Sequence, residues 1–127
     1  MTEAMALICS IVGPGGVDEA VLADVTERAS KLIRENGDPP VEWNAKQSIF
    51  CPMEQVYGKK ADTLRKSATR AAHKVWDVLE EDQEQMRRVI GRRPVIRPYP
   101  QEIVLYLAYY LKFRRPYFEF TLEQLNR

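Results

Sequence analysis

The chain has 127 residues, 45% of them hydrophobic and 29% charged, with a formal net charge of +1. That suffices for one domain, residues 1–127, with a core that needs no metal or disulfide staple, and it excludes a globally disordered chain. The near-neutral sum hides an asymmetry, because residues 1–58 carry 4 Lys/Arg against 9 Asp/Glu whereas residues 59–115 carry 14 against 7.

Ala4–Val12 is an apolar run with Ser10 as its one polar residue, closed by Gly13-Pro14-Gly15-Gly16. Nine residues do not separate a buried strand from a short buried helix by periodicity alone. Thr2 as an N-cap favours a helix, and Ile8, Ile11 and Val12 favour a strand; a helix is preferred because no later segment supplies a sheet. Over residues 17–36, Val21, Leu22, Val25, Ala29, Leu32 and Ile33 recur at helical spacing, with Asp18 and Glu19 in the first turn where the dipole favours anions. Asn36-Gly37 supplies the stop, followed by Pro39 and Pro40. Val41, Trp43 and Ala45 alternate, which suits a short strand or an extended connector over 41–50. Cys51-Pro52-Met53-Glu54 then reads as a helix start that Gly58 breaks.

Residues 60–90 read as one long helix. Leu64, Ala68, Ala71, Val75, Val78, Asp82, Met86 and Val89 form an inward stripe with one charged interruption, and Gly91 ends it. Asp82, on that stripe, is expected to meet an arginine. Three prolines make 92–100 an extended linker. Pro100 opens a helix over 100–113, almost without a polar face, which is the expected centre of the core. Thr121 with Gln124 predicts a capping box for a last short helix, with Tyr117–Phe120 extended before it. The expected fold is mainly α, a compact single-domain helical bundle, with an α+β fold carrying a small N-terminal sheet as the alternative.

Chemistry-bearing patterns are few. Gly13–Gly16 resembles a phosphate loop only in its glycines: Pro14 removes an amide donor, and Asp18 and Glu19 stand where an anion would sit. His73 is the only histidine and Cys9 and Cys51 the only cysteines, without the short spacings of a zinc site. The cysteines lie in apolar surroundings and are expected to be free. Glu80, Glu81, Asp82 and Glu84 read as a mostly solvated helix face. No catalytic, cofactor-binding or metal residue is nominated, and no enzyme is expected. The apolar runs are too short for a membrane span of ~20 residues, and no basic segment precedes Ala4–Val12, so a cytoplasmic protein without a membrane partner is expected.

What remains is the basic half. Lys59, Lys66, Arg70 and Lys74 fall on one helix face, and Arg92, Arg93, Arg97, Arg114 and Arg115 flank the core helix. Tyr106, Tyr109, Tyr110 and Phe113 make an aromatic stripe beside them, suited either to base stacking or to packing against the long helix. Arg97–Ala108 resembles the first helix of the DNA-binding domain of bacterial replication initiators, and Phe120–Leu125 resembles the start of many helix-turn-helix units. The likeness covers about a dozen residues and lacks the turn and recognition helix such a unit needs. The expected function is a small non-enzymatic regulatory protein that docks these nine cations on nucleic acid or a nucleoprotein. The alternative is a protein-interaction module, an adaptor or inhibitor. The two separate on whether acids of the same chain cover the arginines.

Overall fold

The computed structural model describes residues 2–38 and 46–125, the last four as backbone. Those residues form seven α-helices and no strand: α1 Glu3–Val12, α2 Val17–Leu32, α3 Cys51–Tyr57, α4 Ala61–Glu81, α5 Gln83–Val89, α6 Pro100–Phe113 and α7 Tyr117–Leu125. The mainly α bundle holds, and no sheet is formed among the described residues. Thr2 decides the first element, its hydroxyl accepting the Met5 N–H at 3.1 Å while Ala4, Leu7, Ile8 and Ile11 are buried. Among the described residues no helix is long and apolar enough to cross a membrane.

α2 lies between α4 and α6, and α1 packs on α2 and α4. The seam is filled by Leu22, Val25, Ala29, Leu64, Val75, Trp76, Ile103 and Leu107, each at most 1% exposed. Helix α6 is buried on most of its surface, as its missing polar face predicts, but the helix at the centre of the bundle is α2. Pro100 stands at the start of α6, and Glu102 Oε1 accepts the Tyr99 N–H at 2.9 Å. The aromatic stripe of α6 is spent inside the molecule: Tyr106 and Tyr109 pack on Tyr117 at ring distances of 4.8 and 5.0 Å, and Phe113 stacks on Phe120 at 4.5 Å. Burial pushes the Tyr106 and Tyr109 hydroxyls up to about 12, so Tyr109 stays protonated and donates to the Gly37 carbonyl.

Four further expectations need correction. Helix α2 stops at Leu32, with Ile33 extended, so Asn36-Gly37 belongs to a following turn in which Gly37 faces Phe120. Residues 46–50 are not extended but form a π-helical turn that runs into α3, whereas 39–45, the other part of that ambiguous segment, lie outside the described residues. The long helix is two. Asp82 leaves the helical region at φ −130° and ψ 92°, and its carboxylate accepts the Gln85 N–H at 3.1 Å and Gln85 Nε2 at 3.0 Å. It is thus the N-cap of α5 and breaks the expected continuous stripe, and the arginine whose charge reaches it is Arg88. Finally, α7 begins at Tyr117 and not after Thr121, whose hydroxyl donates back to the Tyr117 carbonyl at 3.0 Å.

Candidate docking surface

The first basic patch runs along α4 and meets the N-terminus of α2. Arg70 clamps Asp18 with two bonds, Nε to Oδ2 at 2.9 Å and Nη2 to Oδ1 at 3.0 Å, and the Ser67 hydroxyl donates to Oδ1 at 2.5 Å. One turn along α4, Lys74 Nζ reaches Glu19 Oε1 at 2.8 Å, and the Gly16 N–H donates to Oε2 at 3.0 Å. Glu19 is buried, so it remains charged only because those donors replace water. Both carboxyls lie below their ordinary values: Asp18 through Arg70 and then Ser67, Glu19 through Lys74 and then the Gly16 amide. Lys59 and Lys66 stay exposed, with Lys59 adding a weaker pull on Asp18. The four-residue stripe therefore has half its charge answered from within. The Gly13–Gly16 turn likewise spends its Gly16 amide on Glu19.

The second patch divides in the same way. Arg97 pairs with Asp77 at 3.0 Å and Glu80 at 3.9 Å, Arg114 with Glu3 at 2.8 Å, and Arg115 with Glu119 at 3.5 Å. Arg92 lies over the Phe118 ring, 4.8 Å from its centroid. Arg93 is exposed and makes no ion pair among the described residues. At least five of the nine predicted cations thus face an acid of their own chain.

Two features escaped the sequence reading. Arg87 and Arg88, in the last turn of α5, are followed along the chain by Arg92 and Arg93 just past the Gly91 turn. Arg87, Arg92 and Arg93 share the rim of a hollow of about 260 Å³ with Leu79, Glu80, Gln83, Met86 and Gly91. The linker itself is the second feature: Val95 is 97% exposed, Ile96 80% and Tyr99 77%. Tyr99 and Pro100 also border an apolar groove of about 330 Å³, floored by Val25, Ile49, Phe50, Ala68 and Val104. The available signal was two aliphatic residues inside an arginine- and proline-rich stretch with no helical or strand partner for them.

His73 is exposed on α4, and Cys9 and Cys51 are free, half-buried thiols. No group of three His, Cys, Asp or Glu side chains forms a ligand set among the described residues. No family model, no curated protein and no solved structure matches this chain.

Proposed function

We propose that the protein is a non-enzymatic interaction module, an adaptor or inhibitor, that docks a protein partner on residues 92–99 and the adjoining groove. One observation carries this reading: three large apolar side chains, Val95, Ile96 and Tyr99, stand in solvent on one short segment. Isolated exposed apolar residues need no explanation, but a cluster beside a groove is what interaction sites present. Arginine and tyrosine there supply the side-chain types that dominate binding energy at protein interfaces. A reducing compartment such as the cytoplasm suits the two free thiols.

The nucleic-acid reading stands second. Its support is the group Arg87, Arg92 and Arg93, which make no ion pair among the described residues, with Arg88 nearby in the chain under the pull of Asp82. Against it, Tyr106 and Tyr109 are buried and are not available to stack on bases, and Arg70 and Lys74 are occupied. Capture from nuclease-treated lysate separates the two. Immobilised wild-type protein is expected to retain a partner that a Val95→Ser/Ile96→Ser variant loses. Retention that disappears with nuclease, and is equal for both proteins before treatment, would contradict the proposal in favour of nucleic acid.

A further inference from the structure

The hollow between the end of α4, α5 and the Gly91 turn has the composition of a site for one compact anion. Arg87 and Arg93 on its rim have no ion pair among the described residues, so their donors are open to a ligand. Arg92 lies over the Phe118 ring, which leaves the in-plane N–H donors of its guanidinium for a bidentate contact. The one acid on the rim among the described residues, Glu80, already accepts Trp76 Nε1 at 2.8 Å and lies 3.9 Å from Arg97. The base of the hollow is fixed by backbone: the Gly91 N–H donates to the Met86 carbonyl at 3.0 Å and the Phe118 N–H to Ile90 at 3.1 Å. Gly91 holds a φ of +107°, and a Cβ there would press on Pro116 and Phe118 at 3.1 and 3.3 Å.

We propose that this hollow binds phosphate, and that its ligand is a phosphorylated side chain of the partner that docks on residues 92–99. The second half of that statement rests on the docking role given to that segment. Three guanidinium groups match a phosphate monoester, which carries about −1.5 to −2 at neutral pH and three acceptor oxygens. A single anion suits the surroundings better than a polymer. Nucleic acid repeats its charge about every 3.4 Å along a strand, and beyond the hollow it would meet the exposed carboxylates of Asp77, Glu81 and Glu84. Val95 and Ile96, directly along the chain from Arg93, give the apolar neighbours of a phosphorylated residue a surface that a sugar-phosphate backbone would not use.

The test is an amide-resolved NMR titration of the intact chain with inorganic phosphate and with O-phosphoserine, at ionic strength held constant with sodium chloride. Saturable shifts are expected at residues 87–93 with both ligands, and not with chloride or serine. Arg87→Ala/Arg93→Ala is expected to weaken both by roughly tenfold or more, with an unchanged melting temperature because both side chains are exposed. Shifts that do not saturate, or that persist in the double variant, would overturn the pocket. Binding of a short duplex through the same residues, with no saturable response to phosphoserine, would assign the arginines to nucleic acid instead. Neither Val95 nor Ile96 enters the titration, and neither Arg87 nor Arg93 enters the capture experiment, so the pocket and the docking role can fail separately.

Discussion

Glu19 shows at a single position how this chain uses charge. A buried carboxylate is costly unless donors replace its water, and here Lys74 and the Gly16 amide do so while Asp18, beside it, takes Arg70 and Ser67. The sign of the pH dependence follows. Both groups ionise more readily folded than unfolded, so the folded state binds fewer protons at mildly acidic pH. Their stabilisation is fully present above the ordinary carboxylate values of 3.8 and 4.5 and is lost as pH falls through the lower folded values. Thermal melts followed by circular dichroism should show a falling melting temperature below about pH 4.5. In an Asp18→Asn/Glu19→Gln variant that fall should be much shallower, so that the two curves converge in acid. Curves that stay parallel would mean that these acids do not contribute. The sequence displayed both acids in the first turn of α2, but their partners lie about fifty positions away, and no local pattern carries a pairing of that range.

At the scale of elements, legibility followed the strength of the local signal. Helix α6 was readable to its ends because Pro100 opens it and its apolar content forces it inward. Leu107 and Ile103 are wholly buried and Leu111 is 9% exposed, on the stripe their spacing predicts. Leu107→Ala should therefore leave a cavity costing about 2–5 kcal/mol, measured by urea unfolding with an unchanged slope; a loss under about 0.5 kcal/mol, the level of a surface change, would move the core elsewhere. The break at Asp82 was hidden for a physical reason. Met86 and Val89 are buried on α5, so the apolar stripe continues through the interruption and spacing alone reports one helix. Thr121 misled in the opposite way: a hydroxyl that could cap a new helix instead bonds back to Tyr117 within one already running. The start of α7 is set by Pro116 and by rings that close over α6, and only the folded arrangement reveals those contacts.

For the whole molecule, the charge imbalance between the two halves was plain in the sequence, but its direction of use was not. An acidic half and a basic half can face outward to a partner or inward to each other. Across the α2–α4 seam, and again where Arg114 meets Glu3, they face each other, whereas Arg97 pairs with Asp77 and Glu80 of its own half. Among the cations without an ion pair, Arg87, Arg92 and Arg93 beside Val95 and Ile96 form the surface on which docking is proposed; the sequence displayed Arg92 and Arg93 but not the exposure of Val95 and Ile96, because a linker has no periodicity to reveal it. The opposed charges thereby bind the fold together. A double-mutant cycle on Glu19→Gln and Lys74→Met, read by chemical denaturation at pH 7 and again at pH 2.5, tests it most directly. Lys74 is half-exposed, so solvent screening keeps the interaction modest. A favourable coupling of at least about 0.5 kcal/mol is expected at pH 7, shrinking toward pH 2.5 as Glu19 takes up its proton. Additive effects at pH 7, with no coupling to lose in acid, would contradict it.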